Sequence, residues 1–315
     1  MTAGHSKFES IMNFIARHRI SSLQSRSVTA LLLALLAHFL TGCAGRGPSS
    51  VPVSLKSSLT LHASFDNGLD AEFAKGNPTL RHAPSMKERA KAIAGLPPAG
   101  EVMLAGGEGI TGNALRFVRK ESPVVYFEAL RNVAWNATNW SGTVSFWLRL
   151  DPETELEPGF TDPIQITPHA WNDAAFFVEF GKDEQPRHFR LGAYADFKVW
   201  NPANREWDQI PFEEKPLVGV TRPPFSRDRW THVAFAWENF NTGRADGVVR
   251  LYLNGELQGA LSPRVQTFTW EPAQSLVMLG LSYIGLWDEL AIFDRALTEV
   301  EIRLLKEKPG ILNTR

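Results

Sequence analysis

Cysteine is nearly absent from this chain. Its 315 residues include one cysteine, Cys43, which excludes an internal disulfide and a metal site built from several thiolates. The fold must therefore be stabilised by packing, and a chain of this length can bury a core large enough for that.

Strong charge imbalance and long hydrophobic runs are missing as well. The formal net charge is -1, and the chain after residue 42 is more acidic, because basic side chains dominate the charges of the first 42 residues. A mildly acidic protein is poorly suited to polyanions, so no nucleic-acid partner is expected. The apolar stretch at residues 28–40 is shorter than the ~20 residues that cross a bilayer as a helix.

Residues 1–42 have the layout of a signal peptide. Arg17, Arg19 and Arg26 precede the apolar stretch, and small residues close it at Leu40-Thr41-Gly42-Cys43. These four residues resemble a bacterial lipobox, which implies that Cys43 is lipidated and becomes the mature N-terminus. The alternative is a buried apolar cysteine. The protein is thus predicted to be exported and held at the bacterial cell envelope, on its periplasmic or surface side, by an N-terminal lipid with more than one chain.

The chain after the signal peptide is predicted to form one domain. Residues 43–58 are rich in Gly, Pro and Ser and are expected to be a flexible tether. The domain is predicted to cover residues 59–305, with a C-terminal tail at 306–315. Residues 59–65 alternate between apolar and polar side chains, which predicts a half-buried strand before the turn Asp66-Asn67-Gly68.

Many further short strands indicate an all-β sandwich. Strands are predicted at residues 143–150, 175–180, 188–193, 232–237, 248–253, 276–279 and 286–293. Short helices are predicted at 85–94 and from residue 298 to 305, each opened by a residue pair with capping-box spacing. Residues 152–168 and 200–224 are expected to be long loops.

A glycine pattern at residues 107–112 has to be weighed against a dinucleotide site. Gly107, Gly109 and Gly112 have the required spacing, but residues 113–118 alternate like a strand. The phosphate-binding version needs a helix at that point. The pattern therefore predicts a turn.

Four sequence segments in the last third of the chain resemble those of a known protein family. They are Asp228-Arg-Trp-Thr-His-Val-Ala-Phe-Ala-Trp237, Val249-Arg-Leu-Tyr-Leu-Asn-Gly255, Leu279-Gly280 and Gly285-Leu-Trp-Asp-Glu-Leu-Ala-Ile-Phe-Asp-Arg-Ala-Leu297. Together they resemble the laminin-G-like branch of the concanavalin A-like lectin/glucanase superfamily. The resemblance implies a jelly-roll sandwich of two antiparallel sheets, with the first strand beside the last, and sugar binding on the concave sheet face.

Strand alternation assigns one set of side chains to the core and the other to the opposite face. The predicted core set is Val144, Phe146, Leu148, Leu150, Phe176, Val178, Phe180, Val233, Phe235, Trp237, Leu251 and Leu253. The opposite set is Trp147, Arg149, Glu179, His188, Arg190, His232, Arg250 and Tyr252. Aromatic rings beside hydrogen-bonding groups would suit a glycan. The alternative is that loops cover this face and that the polar groups satisfy one another, as Glu179 and Arg190 would.

Loop tryptophans are the second set of candidates for ligand contact. Trp200 and Trp207 lie in a segment rich in Pro and Asn, and loops often carry recognition. Trp171 is treated in the same way. The alternative is that these rings fold back onto the domain.

The family resemblance also implies a structural calcium ion near the paired terminal strands. Asp288 matches the position that usually supplies a carboxylate, and Asp66 with main-chain carbonyls near Gly112 would complete the oxygen ligands. The alternative is that Asp288 caps a strand turn. No cofactor is required by any motif.

Catalysis finds little support in the sequence. Hydrolases of this superfamily use Glu-x-Asp-x-Glu on one strand, whereas Glu153, Glu155 and Glu157 lack the central Asp. The predicted function is thus a non-catalytic, envelope-anchored module that binds carbohydrate as polysaccharide or glycoprotein. One alternative is a structural or protein-binding lipoprotein. The other is a glycoside hydrolase or polysaccharide lyase, which needs a second acid facing Glu179 within roughly 5 to 10 Å.

Overall fold

A computed structural model describes residues 52–120 and 123–313 of the chain. The strands in chain order are β1 Leu59–Ala63, β2 Phe73–Ala74, β3 Arg81–Ala83, β4 Ile93–Ala94, β5 Val102–Ala105, β6 Ala114–Phe117, β7 Val124–Glu128, β8 Trp140–Arg149, β9 Thr161–Thr167, β10 Ala175–Phe180, β11 Phe189–Tyr194, β12 Leu217–Val220, β13 Thr231–Phe240, β14 Val248–Leu253, β15 Glu256–Ala260, β16 Leu276–Leu281 and β17 Gly285–Phe293. The α-helices are α1 Val53–Ser58, α2 Phe197–Trp200 and α3 Glu299–Glu307. Short 3-10 helices span Met86–Lys91, Trp207–Gln209, Phe212–Glu214, Pro272–Gln274 and Ile311–Asn313.

The strands form two antiparallel sheets. The first sheet has the order β15-β14-β13-β8-β17-β1-β2, with β6 on β17 and β5 on β6. The second sheet has the order β12-β11-β10-β9-β16-β7-β3-β4. Strand β1 pairs with β17, with Ala63 opposite Leu290. The predicted jelly-roll sandwich and the pairing of its first and last strands are confirmed.

The core lies between the two sheets and follows the predicted alternation. All twelve side chains of the predicted core set are buried there. Trp140 lies among these rings, 5.1 Å from Trp237 and 5.5 Å from Phe176 between ring centroids. A Cβ at Gly142 would lie 2.3 Å from the Trp237 ring, so this position of β8 has room only for glycine. Each fully buried large apolar side chain contributes about 1.5 to 3 kcal/mol.

Helical segments before β1 and after β17 cover the outer face of the first sheet, which corrects three predictions. Helices α1 and α3 and the 3-10 helix Ile311–Asn313 pack Leu55, Ile302 and Ile311 against this face. All five residues of β1 are consequently buried, so the strand is not half-buried. Residues 53–58 of the expected tether form α1, and Ile311–Asn313 of the expected tail packs back onto the sheet. Helix α3 begins with the predicted capping box.

Two predicted loops contain strands. Residues 152–168 include β9 and residues 200–224 include β12. Pro163 lies within β9, although proline has no N–H to donate to a sheet. It is tolerated here because the β9–β10 register shifts between Val178 and Phe180, and bulges accept proline. The helix predicted at 85–94 is a 3-10 helix, Met86–Lys91, without a side-chain cap, and it is followed by β4.

The glycine pattern at residues 107–112 forms turns and bends before β6, as predicted. Within the described residues, no helix has the length and apolar character needed to cross a bilayer. The predicted signal peptide and Cys43 lie outside those residues.

Candidate functional site

The residues predicted to share one polar face lie on two different sheets. Trp147, His232 and Tyr252 belong to strands of the first sheet, whereas Glu179 and Arg190 belong to the second. The core separates the two outer faces, so the prediction of a single face is wrong. Alternation decides which side of its own sheet a residue occupies, but strand order decides which sheet that is.

The first-sheet group is covered rather than open. His232 and Tyr252 are 0% and 2% exposed, and Tyr252 packs in the cluster formed with α3. Trp147 lies beside residues 308–312, with only about 20 Å³ of space between them. His232 Nε2 lies 2.8 Å from Ser145 Oγ, within hydrogen-bond distance. Burial lowers the pKa of His232 to about 3.

The remaining polar groups of this face pair with one another. The Arg149 guanidinium lies 5.3 Å from the Trp230 ring centroid and 3.4 Å from Glu108. Arg250 pairs with Glu238. On the first sheet, therefore, the structure shows a covered face whose polar groups largely pair with one another, with His232 Nδ1 buried and without a partner among the described residues.

A pocket of about 450 Å³ opens on the outer face of the second sheet. Aromatic and polar side chains share its lining. They are Phe160, Asp162, Gln165, Trp171, Phe177, Glu179, Arg190, Tyr194 and Trp207. We refer to it as the second-sheet pocket.

Three neighbouring strands place the charged groups of the second-sheet pocket in one row. Glu179 of β10 lies opposite Arg190 of β11, and Arg190 Nη2 donates to Glu179 Oε1 at 2.7 Å. The register shift between β9 and β10 leaves Asp162 and Pro163 opposite Glu179. Bulges of this kind redirect side chains, and here Asp162 joins the lining of the pocket beside Glu179. His188, just before β11, lies 3.8 Å from Glu184 and does not line the pocket.

Two aromatic rings form the floor beside this row. Phe177 follows the alternation of Glu179 on β10, and Tyr194 follows that of Arg190 on β11, so both rings face outward. The rings stack with centroids 5.5 Å apart. A Cβ at Gly192 would lie 2.3 Å from the Phe177 ring, so glycine allows this ring to lie across β11.

Exposed aromatic side chains form the walls. Trp171 lies before β10 and contacts Trp207 edge-on, with centroids 5.8 Å apart. Phe160 lies at the Arg190 end, with its ring centroid 5.0 Å from the guanidinium carbon. Trp171 and Phe160 are each 46% exposed, so both offer apolar area to a ligand.

Trp200 supports the pocket from behind. Its Nε1 donates to the Asn172 carbonyl at 2.8 Å, and its ring contacts Tyr194 edge-on at 5.0 Å. Of the three loop tryptophans, Trp171 and Trp207 thus line the pocket, while Trp200 packs against the domain.

Burial sets the protonation of the acids. It raises the pKa of Glu179 to about 7, with the Arg190 charge acting in the opposite direction. Burial also raises the pKa of Asp162 well above its ordinary range, and the charge of Glu179 adds to this. The Tyr194 hydroxyl and Arg190 Nε are buried and have no hydrogen-bond partner within the described residues. The pocket therefore offers unsatisfied polar groups beside apolar rings.

Sequence reasoning missed five of the lining residues. Phe177 and Tyr194 share the alternation of Glu179 and Arg190, so that signal was available. Phe160, Asp162 and Gln165 lie in or beside a strand that was predicted as a loop.

The predicted calcium ligands lie in a polar cluster near the terminal strands. Asp66 accepts hydrogen bonds from the Asn113 main chain and from Asn313, and Asp288 accepts from the Ile110 and Glu289 main chains. These N–H donors occupy carboxylate oxygens that a calcium ion would otherwise use as ligands. Within the described residues, no group of three or more His, Cys, Asp or Glu could hold a metal ion. Calcium at Asp66 and Asp288 stays a prediction.

Several solved structures are similar to this chain. Domain 4 of AbnA, an extracellular GH43 arabinanase from Geobacillus stearothermophilus in complex with arabinotriose, is 20% identical, with coverage of 79% of this chain and 98% of that chain and a TM-score of 0.46. The binding domain of botulinum neurotoxin DC in complex with rat synaptotagmin II is 14% identical, with coverage of 80% and 52% and a TM-score of 0.51. The receptor-binding domain of the botulinum neurotoxin C/D mosaic serotype is 15% identical, with coverage of 80% and 51% and a TM-score of 0.51.

These likenesses are in fold, and the chain spans about half the length of the neurotoxin domains. No curated protein is similar in sequence at a significant level. A laminin G family model, described as the concanavalin A-like lectin/glucanases superfamily, matches residues 126–303, which is more than half of the chain. The chain therefore belongs to the concanavalin A-like lectin/glucanase superfamily.

Proposed function

We propose that this protein is a carbohydrate-binding module and that its sugar site is the second-sheet pocket. The observation that carries the proposal is the lining itself, in which exposed Trp171 and Phe160 flank the Glu179–Arg190 pair. Sugars present apolar C–H faces and a rim of hydroxyls. Aromatic rings bury the former, and a carboxylate with a guanidinium accepts from and donates to the latter.

The free energy of binding would come mainly from the exposed rings. Burying their apolar area beneath a sugar is favourable because that area now faces water. The polar groups would add orientation, since a ligand hydroxyl that reaches the Tyr194 hydroxyl satisfies a buried group that otherwise lacks a partner. The neurotoxin neighbours are named as binding domains, but the likeness carries only the fold, so the ligand class rests on the pocket.

A glycan array with the purified full-length chain tests this proposal. We expect binding to at least one sugar, and we expect Trp171→Ala to weaken it by about tenfold or more, as alanine substitution at a ring that stacks on the ligand does. Phe73→Ala is the matched control, because Phe73 is 43% exposed but lies on the first sheet. An array without signal, or equal loss in both variants, would contradict the site.

We further propose that the module is held at the cell envelope by lipid on Cys43. The lipobox-like residues 40–43 and the preceding apolar stretch support this. Mass spectrometry of envelope-extracted protein should find a mature N-terminus at Cys43 that carries acyl chains. Cys43→Ala should prevent acylation, and an unmodified, uncleaved N-terminus in the native protein would refute the anchor.

Glycoside hydrolysis is a second candidate, because a second acid does face Glu179. Asp162 joins it from the neighbouring strand, and carboxyl groups on both sides of a glycosidic bond are the requirement for hydrolysis. Glu179, with a pKa of about 7, would protonate the leaving oxygen, while Asp162 in its ionised form would take a proton from the water that attacks the anomeric carbon. The sugars found on the array should then release reducing ends on incubation, and Glu179→Gln should abolish this release. Intact sugars after long incubation would leave binding as the function.

A further inference from the structure

The charged groups that line the second-sheet pocket are unbalanced toward acid. Two carboxyl groups, Asp162 and Glu179, share the lining with one cation, Arg190. Arg190 is already paired with Glu179 at 2.7 Å. The side chain of Asp162 makes neither a hydrogen bond nor an ion pair within the described residues. Its pKa is affected by burial and by the charges of Glu179 and Arg190. Burial raises the pKa of Asp162 and so favours its neutral form in the empty pocket. A ligand that brings one positive charge to Asp162 would favour the ionised carboxylate and pair with it.

The aromatic surroundings are those that a cation prefers. Five rings line the pocket, and ring faces attract ammonium and guanidinium groups. The protein itself illustrates this at the outer walls. Lys215 Nζ lies 4.1 Å from the Trp207 ring centroid, and Lys182 Nζ lies 5.9 Å from that of Phe160. Neither lysine is part of the lining, so neither neutralises Asp162 within the pocket.

Neutral hydrogen-bonding groups lie beside the acid. The Tyr194 hydroxyl is buried without a partner in the described part of the chain, and Gln165 lines the same pocket from β9. Buried polar groups are normally paired, so this hydroxyl is a second observation that points to a ligand. It calls for hydroxyl groups on the same molecule that carries the positive charge.

We propose that the second-sheet pocket binds a cationic amino sugar, whose ammonium group pairs with Asp162 among the aromatic rings. The inference rests on the proposed carbohydrate-binding function and names its ligand class. An ammonium ion supplies the missing countercharge, and the sugar hydroxyls reach Glu179, Arg190 and Tyr194. An acidic sugar fits less well, because its carboxylate would meet two acids and could use only an arginine that is already paired.

Isothermal titration of the full-length chain with two sugars tests the inference. The probes are the tetramer of β-1,4-linked glucosamine and its fully N-acetylated counterpart, which differ only in the charge and size of the nitrogen substituent. The titration is run at several pH values around the pKa of the sugar amine, because the amine must be charged while Asp162, whose pKa burial raises, must be able to ionise beside it. We expect the glucosamine tetramer to bind about tenfold more tightly or better, in line with a desolvated cation among aromatic rings.

Substitution of the acid separates charge from shape. Asp162→Asn should remove the preference and leave the affinity for the N-acetylated tetramer within about twofold, since the change is nearly isosteric. Asp208→Asn is the matched control, because Asp208 is an exposed acid next to Trp207 that does not line the pocket. Circular dichroism and thermal unfolding should be measured on both variants to check that they are folded.

The outcomes distinguish the two proposals. If both tetramers bind equally, or if Asp162→Asn keeps the preference, the amino-sugar inference is overturned and carbohydrate binding stands. If the glycan array finds only neutral or acidic sugars, the inference is likewise overturned. If no sugar of any class binds, both proposals fall.

Discussion

Single side chains show how burial decides chemistry in this protein. Glu179 and His232 are both polar residues on outward-facing strand positions. Glu179 lines an open pocket, and its pKa rises to about 7. His232 lies under the chain termini, where burial lowers its pKa to about 3. Both side chains point outward from their sheets. Glu179 in the second sheet is placed to contact a ligand, whereas His232 in the first sheet is a buried, neutral group with a structural role.

His232 makes stability sensitive to acid. Its pKa is about 3 in the folded protein and about 6.5 in an unfolded chain, so the fold favours the neutral ring. This contribution is fully present above pH ~6.5 and is lost as pH falls toward ~3, by about 5 kcal/mol at the limit. Urea unfolding across this range should show a shallower decline for His232→Gln than for the native chain. Exposed His169→Gln should keep the native slope, and equal slopes in all three would refute the assignment.

Gly192 is expected to be indispensable for the pocket floor. A methyl group there would lie 2.3 Å from the Phe177 ring, so Gly192→Ala must displace this ring. We expect a loss of about 1 to 3 kcal/mol in the free energy of unfolding, together with weaker sugar binding. Gly106→Ala is the control, since its new methyl group would find its nearest atom at 3.8 Å. A Gly192→Ala variant with native stability and native sugar affinity would contradict this account.

At the scale of elements, the bulge in β9 and the C-terminal helix have the largest functional consequences. The bulge brings Asp162 opposite Glu179. Helix α3, with the residues that follow it, covers much of the outer face of the first sheet. A smaller pocket of about 290 Å³ remains beside β1 and β2, whereas the pocket lined by five aromatic rings lies on the second sheet.

Helix α3 depends on its capping box. Thr298 accepts from the Glu301 main chain, Glu301 accepts from the Thr298 main chain, and Arg295 donates two hydrogen bonds to Glu301. Thr298→Ala should lower the free energy of unfolding by about 1 kcal/mol, measured from the urea midpoint. Val300 lies in the same helix and is 71% exposed. Val300→Ala should therefore change the free energy of unfolding by less than ~0.5 kcal/mol. Equal effects of the two substitutions would argue against the cap.

At the scale of the whole molecule, the sandwich separates two surfaces with different roles. The outer face of the first sheet is largely covered by α1, α3 and the 3-10 helix Ile311–Asn313, and that of the second holds the second-sheet pocket. The glycan-array signal should therefore fall in Trp171→Ala. It should not fall on substitution of Trp147, which was predicted from its strand position to contact a ligand. Trp147 is 6% exposed, so its loss should reduce stability instead.

The amino-acid sequence by itself determined the all-β class, the inward side chains of β8, β10, β13 and β14, and the capping box of α3, because each depends on periodicity or spacing within a few neighbouring residues. It also indicated the pairing of β1 with β17 through the family resemblance. Tertiary structure alone decided which sheet each outward residue joins and which face is covered. Strand order and the docking of the termini depend on contacts between residues that are distant in sequence, such as Ser54 and Glu301, and no local pattern records them. Of the residues predicted from the sequence, the candidate site therefore keeps Glu179, Arg190 and Trp207 and no longer includes Trp147 and His232.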